Sequence, residues 1–563
     1  MASRKLRAWQ RQTADPEPER TPTMNPVRLN PLDSAWLFTE SRATPNHVGG
    51  LLQFRLPPDA APDFMRQLMA DFRQHRNFTA PWNRRLKHAF NKNPVPVWVE
   101  DEEIDLEYHV RHAALPWPGG ERELGELVGR LQSTPLDLSR PPWECTLIEG
   151  LDGGRFALFI KMHHSLIDGV SGMKLLQRAM AASREDSQGL PPFWASGTPA
   201  DGASPRRKRA DDAGADAAPT WSNAAAAAMQ ALRGQAQSLP KLVTAFGKIV
   251  GRIGSPDEGM VLPFASPRSV LNGRVREKRR FATQQFSLQR LRTLATAGQC
   301  TLNDVVLALC GGALRRFLLE RDALPEQTLT AGIPVSVRPQ DDEGTGNAIS
   351  FIVATLGTDI EDATERLQAI KASVKHAKAH VQELPRQAML QYTMLLMAPT
   401  IVTLLTGIGG RTRPMFNITI SNVPGPDKPL FFRGAELVAI YPVSIVTHGQ
   451  ALNITCQSYA GSMNFGFTGC HSTLPSLQRL AVYAVDALEE LEAALLQQPK
   501  PKPKPKPKPK AKVSRSATPA PTAPAKTSRR APAKAIKPAK TAPARKAAPA
   551  APVRKSARAA ARG

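Results

Sequence analysis

Between Arg155 and Ala182 the hydrophobic period of the chain changes once, and two histidines stand at the change. Phe156, Leu158, Ile160 and Met162 alternate with other residues, the period-two pattern of a half-buried strand. Met173, Leu176 and Met180 then recur at helical spacing over Val170 to Ala182. The stretch between them, His163-His164-Ser165-Leu166-Ile167-Asp168-Gly169, must end a strand and turn the chain toward a helix. Loops held by a rigid scaffold are where reactive side chains concentrate.

The pattern His-His-x-x-x-Asp-Gly carries its own chemistry. An imidazole with an ordinary pKa near 6.5 takes up a proton at neutral pH. Asp168 is placed to orient one ring or to hold the loop through an arginine, and Gly169 permits a backbone angle that other residues resist. A pair of hydrogen-bonded structural histidines is the plain alternative. A metal site is less suited, because adjacent side chains leaving a strand point apart and no CxxC or HExxH partner exists. General base is the reading we prefer.

Upstream, Trp143 to Glu149 reads as a strand and Gly150 to Gly154 as a hairpin turn, so the histidine loop leaves a hairpin. Residues 1–28 are polar and proline-containing, which suggests disorder. Order starts at Leu29, where Asp33 or Ser34 would cap a short helix bearing Trp36, Leu37 and Phe38. His47 to Phe54 reads as a strand whose histidine is structural, followed by a helix through Phe64, Leu68, Met69 and Phe72 and another from Glu121 to Leu131. This first domain is expected to span 29–182. A linker, 183–262, combines a stretch rich in Ala, Pro, Gly and Ser with a basic amphipathic helix from Asn223 to Ile253, suited to packing or to a membrane surface.

The second domain is expected over 263–498. It holds a helix to Ala297 and a long one opened by Thr301-Leu302-Asn303-Asp304, where Thr301 and Asp304 fit a capping box. Strands follow at 330–337, 348–356, 416–421 and 436–443, then a hairpin from Ala451 to Thr468 and a closing helix to Leu496. Strands and helices alternate in both halves, which implies two α/β layers.

The net charge of +25 is uneven, since 20 of the 74 Lys and Arg lie from Lys500 onward, where there is no Asp or Glu. The body keeps 54 basic against 49 acidic residues, so global charge says nothing of nucleic acid binding there. The tail, 499–563, opens on a Lys-Pro alternation and cannot bury a core, so it should stay extended and disordered. With no aromatic side chain, it offers nucleic acid only non-specific, salt-sensitive phosphate contacts, and anionic lipid head groups are an equal partner. Five widely spaced cysteines argue for a reducing compartment. The N-terminus lacks the apolar run of a secretory signal, and the uncharged stretch Gln387 to Gly410 is diluted by proline, threonine and glycine, so it reads as a core or interfacial helix. A cytoplasmic protein peripheral to the inner membrane or to lipid inclusions is the expectation.

Six stretches in order resemble the bacterial wax ester synthase/acyl-CoA:diacylglycerol acyltransferase family. They are Pro31-Leu32-Asp33 with His47-Val48-Gly49-Gly50; Arg140-Pro141-Pro142-Trp143; the histidine loop; Asn303-Asp304; Gly346-Asn347; and Ser421-Asn422-Val423-Pro424-Gly425-Pro426. The likeness covers roughly Leu29 to Leu496 apart from the Ser183–Trp221 linker. It implies two domains like chloramphenicol acetyltransferase, carnitine acyltransferases and condensation domains, with mixed sheets and an active-site channel between them. By the same likeness His164 is the general base beside His163, Asp168 and Gly169 shape the loop, and Asn303, Asp304, Pro141 and Trp143 support it or line the channel. The implied reaction is acyl transfer from acyl-CoA, a co-substrate with no metal or redox cofactor beside it, to diacylglycerol or a fatty alcohol. Pro142 departs from the family's usual leucine and cannot donate a backbone hydrogen bond, which bears on local shape and acyl-chain preference. The contrasting reading is a non-enzymatic lipid-granule or nucleic-acid binding protein acting through its basic tail.

Overall fold

The computed structural model describes residues 27–29, 31–87, 96–196, 266–336, 349–382 and 409–496. The tail, the helix expected at Asn223–Ile253 and nearly all of Gln387–Gly410 lie outside these residues. The chain divides structurally after Pro499, and both six-stranded sheets belong to the part before it.

The first half runs β1 (Val27–Arg28), α1 (Pro31–Phe38), β2 (His47–Arg55), α2 (Phe64–Gln74), β3 (Arg84–Leu86), β4 (Val97–Glu100) and β5 (Val110–Ala114). It continues with α3 (Glu121–Ser133), β6 (Trp143–Leu151), β7 (Arg155–His163) and α4 (Gly169–Gln177). The second half holds β8 (Arg279–Ser287), α5 (Leu288–Ala297), α6 (Leu302–Leu319), β9 (Thr330–Ser336), β10 (Ile349–Thr355) and α7 (Ala363–Gln382). It ends with β11 (Ile418–Val423), β12 (Phe431–Phe432), β13 (Ala435–Val443), β14 (Leu452–Tyr459), β15 (Ser462–Cys470) and α8 (Leu477–Leu496).

Two mixed six-stranded sheets result, ordered β12-β13-β2-β7-β6-β5 and β10-β9-β11-β14-β15-β8, beside a small sheet β1-β4-β3. In the first, only β5 and β6 run parallel; in the second, β11 runs parallel to both β9 and β14. Helices α5 to α8 pack their apolar residues on the second sheet, around Leu309, Phe317, Phe465 and Leu488. The α/β reading with mixed sheets holds.

Three expectations change. Strand β13, read as part of the second domain, pairs with β2 in the first sheet, Val443 opposite Gly49. Pairing partners are set by long-range packing, which a local period does not encode. The linker also starts later than Ser183: Ser183 caps a single-turn helix, and Phe193 and Trp194 are buried in the first core against Trp143 and Phe72. Finally, β7 is buried on both faces. Phe156 and Leu158 join the core around Trp143, whereas Ala157 and Phe159 face Leu124, Val128 and Phe281.

That second face explains how the halves join. Helix α3 lies against β8 so closely that a Cβ on Gly125 would stand 2.6 Å from the Phe281 carbonyl oxygen, and one on Gly129 3.0 Å from that of Arg279. Any larger residue at Gly125 would lift the helix off the strand.

Candidate active site

Strand β7 delivers the histidines between two partners. His163 is paired in register with His47 on β2, and its N–H donates to the Pro142 carbonyl at 2.9 Å just before β6. Pro142 therefore serves through its carbonyl, and its missing N–H removes nothing from this contact. His47 is structural as expected: its Nε2–H donates to the Gln132 carbonyl at 2.9 Å, and Gln132 Nε2 donates back to the His47 carbonyl at 3.2 Å.

The two catalytic candidates have opposite surroundings. His163 is fully buried. Its Nδ1 accepts from the Ser165 N–H at 3.2 Å and from the Ser165 hydroxyl at 2.6 Å, so the neutral ring carries its proton on Nε2. That proton is directed to Glu40 Oε2 at 3.3 Å, an oxygen that also accepts the Asn46 N–H at 2.5 Å. His163 is thus occupied on both nitrogens.

His164 is half-buried, and its ring stacks on Trp36 with centroids 4.3 Å apart and planes at 24°. Its N–H donates to the Asn46 carbonyl at 2.9 Å. Asn46 in turn donates through Nδ2 to the Trp36 carbonyl at 2.7 Å and to the Thr39 hydroxyl at 2.9 Å, so one amide fixes both ring neighbours. Desolvation pulls the His164 pKa down to about 4, against a smaller upward pull from a hydrogen bond to its own carbonyl. A carbonyl only accepts, so one ring nitrogen carries a proton and the other is bare. At neutral pH this ring is a proton acceptor in the correct form, and the Trp36 face favours the imidazolium once it forms.

The remaining sequence candidates take structural positions. Asp168 caps α4, accepting the Ser171 N–H at 2.9 Å and the Ser171 hydroxyl at 2.7 Å; it touches neither imidazole by a hydrogen bond. Gly169 opens α4 without the left-handed backbone angle expected of it, and a Cβ there would meet nothing within 4 Å. Its smallness leaves the loop open. Pro141 and Trp143 are buried, and Trp143 donates through Nε1 to the Trp82 carbonyl at 2.7 Å amid Phe193, Trp194 and His109. Trp143 is core beneath the loop, not channel wall. Asp304 closes the capping box with Thr301 and is buried, with Oδ1 left unpartnered. Among the described residues no hydrogen bond joins Asn303 or Asp304 to the histidine loop.

Sequence reasoning missed Glu40, Asn46 and the stacking role of Trp36. A signal existed for one of them, since Glu40 is the only acid between Asp33 and His47. Glu40→Ala would orphan two donors and is expected to cost about 1–3 kcal/mol for each, whereas Glu40→Gln keeps an acceptor and should recover most of it. Urea midpoints of the two variants check this, and equal losses would contradict it.

Comparison with known proteins bears on the same residues. Residues 29–306 match the family model described as the wax ester synthase/diacylglycerol acyltransferase catalytic domain, and residues 345–492 match that family's C-terminal domain. A Mycobacterium tuberculosis protein provisionally named a diacylglycerol O-acyltransferase is 44% identical over 488 residues, covering 83% of this chain and 97% of the relative. The chain belongs to the wax ester synthase/diacylglycerol acyltransferase family. Another relative, O-acyltransferase WSD of Acinetobacter baylyi, is 36% identical over 84% of this chain and 98% of its own length. The solved wax ester synthase/diacylglycerol acyltransferase of Marinobacter aquaeolei VT8 aligns with a TM-score of 0.67 and 38% identity, over 83% of this chain and 98% of that one.

Proposed function

We propose that this family member transfers a long-chain acyl group from acyl-CoA to the hydroxyl of diacylglycerol or of a fatty alcohol, with His164 as general base. The observation that carries the reading is the bare nitrogen of a neutral His164, held by Trp36 and Asn46 at the mouth of a strand. The alcohol gives its proton to that nitrogen as its oxygen attacks the thioester carbonyl carbon. The tetrahedral intermediate then expels the thiolate, the imidazolium returns the proton to sulfur, and ester and CoA leave. A positioned base of this kind supplies roughly 10²–10⁴ in rate. The family description and the names of a relative and of the solved structure support both acceptor classes; acyl-CoA is the donor in this proposal, which calls for no further cofactor.

The test follows free CoA from palmitoyl-CoA with hexadecanol, with dioleoylglycerol and with neither. Release that requires one of the acceptors is expected. Release indifferent to both would contradict the reading.

The tail from Lys500 supplies the charge for peripheral attachment to an anionic lipid surface. Deleting it should abolish adsorption to phosphatidylglycerol vesicles and leave turnover of dissolved substrates intact; loss of both would contradict a separable tail. Among the described residues no helix is long and apolar enough to cross a membrane.

Acid should act in a defined window. The His164 pKa lies below its unfolded value of 6.5, so protonation favours the unfolded chain. His47 and His109, also lowered chiefly by burial, act in the same direction. Stability is therefore expected to be full above about pH 6.5 and to fall as the pH drops toward 4. The acid limb of kcat/KM for the free enzyme is expected nearer pH 4 than 6.5, and a limb at 6.5 would mean that the ring is solvated before substrate binds.

A further inference from the structure

The turn that seats His164 is held from the other half of the molecule. Arg279, at the start of β8, is 5% exposed, and its guanidinium donates to the Ala43 carbonyl at 2.7 Å and to the Arg276 carbonyl. Desolvation outweighs the attraction of Cys470 and Glu277 and pulls its pKa down to about 10, so the ion is kept inside at a cost. A neutral or shorter side chain could not do what this one does. Its planar fork spans two carbonyls, one from each half of the chain.

The main chain of Arg279 is a firm base for that reach. Arg279 pairs with Cys470 on β15, and its N–H donates to the Ser133 hydroxyl at 2.8 Å, at the end of α3. Gln132, the residue before Ser133, holds His47 on the strand beside the histidines. The last turn of α3 therefore serves both the arginine and the strand next to the base.

The far end of the tether is a stiff turn. Ser41 and Thr44 join their hydroxyls at 2.7 Å and exchange main-chain hydrogen bonds at 3.3 and 3.1 Å. Pro45 fixes its own φ, and Asn46 then gives its carbonyl to the His164 N–H at 2.9 Å. The remaining bonds of Asn46 go to Trp36, Thr39 and Glu40, all within the same short segment. Those bonds set the shape of the segment; the bond from Arg279 to Ala43 sets its place against the second half.

We propose that Arg279 is a positioning residue for the general base: by holding the Ala43 carbonyl it keeps the Asn46 carbonyl and the Trp36 face in register with His164. The proposal rests on the reading of His164 as base and adds to it a contribution from the second half. Misplacing a catalytic group by about 1 Å costs on the order of 10² in rate. A loosened turn would also admit water to a ring that burial now keeps unprotonated.

Arg279→Met removes the fork and keeps an apolar stem. It is expected to lower kcat with palmitoyl-CoA and hexadecanol roughly 10- to 100-fold while the KM for palmitoyl-CoA changes little. The His164 pKa, followed by NMR on carbon-13-labelled histidine and assigned by the signal lost in His164→Ala, should rise from about 4 toward 6.5. Asp168 and His163, the titratable groups that act on this ring, are the same in both proteins. Arg279→Lys keeps the charge, but one ammonium cannot span both carbonyls, so both changes are expected at a smaller size. Thermal melting shows which variants are folded, and Arg279→Lys carries both readings where Arg279→Met does not fold.

A folded variant with the kcat and the His164 pKa of wild type overturns the proposal, and acyl transfer by that wild type leaves the acyltransferase reading standing. A fall in kcat with the pKa unmoved also overturns it, because the loosening then lies elsewhere. Failure of both variants to fold makes Arg279 a structural anchor and overturns it too. A pKa that rises in the variant of a protein whose wild type transfers no acyl group keeps the positioning role and removes the acyltransferase reading.

Discussion

Alanine in place of His164 is expected to lower acceptor-dependent CoA release by roughly 10²–10⁴-fold, with little change in the KM for acyl-CoA. The substitution removes the ring but keeps the N–H that donates to Asn46, so the loop retains its anchor. Loss of the stack on Trp36 should cost only about 0.5–1.5 kcal/mol. His163→Ala provides the contrast. That ring is fully buried between Ser165 and Glu40, and its removal is expected to lower the melting temperature as well as the rate. A His164→Ala enzyme within tenfold of wild type, beside a well-folded and inactive His163→Ala, would transfer the base to the other ring.

Removing the carboxylate of Glu144 is expected to cost about 3–5 kcal/mol, as for other broken buried pairs. Lys161, two residues before His163, is 1% exposed, and its ammonium lies 3.2 Å from Glu144 Oε2. The same ammonium donates to the Leu131 and Thr134 carbonyls at 3.1 and 2.8 Å, closing the C-terminal end of α3. Burial lowers the Lys161 pKa and Glu144 works against that shift, so Glu144→Ala strands a charge on the strand that carries the histidines. The double variant Glu144→Leu/Lys161→Met should recover much of the loss, though the two carbonyls then lack their donor. Urea midpoints decide it: a single-variant cost below about 1 kcal/mol, typical of exposed pairs, would contradict the burial argument.

The histidine loop was legible because its signal is local. A change from period two to helical spacing marks a strand, a turn and a helix whatever the rest of the chain does; that Asp168 caps α4 and does not orient a ring shows only in the structure. The capping box at Thr301 and Asp304 was legible for the same reason. What the pattern concealed depends on contacts far apart in sequence. Strand β13 reads as a strand wherever it pairs, and only packing sends it to β2. Lys161 alternates as a solvent-facing residue would, yet α3 and β8 cover that face. Phe193 and Trp194 sit in a proline-rich stretch that resembles a linker until Trp143 is beside them. Gly169 contributes empty space and not a special backbone angle, a distinction that depends on its neighbours in the fold. Nothing local marks Glu40, because its partner His163 lies 123 residues further along the chain.

The most direct measurement is the balance of products in wild type. With labelled palmitoyl-CoA and dioleoylglycerol or hexadecanol, one labelled ester is expected for each CoA released, and neither product should form without acceptor. CoA released with free palmitate in place of ester would make water the acceptor and the protein a thioesterase, contradicting acyl transfer to an alcohol.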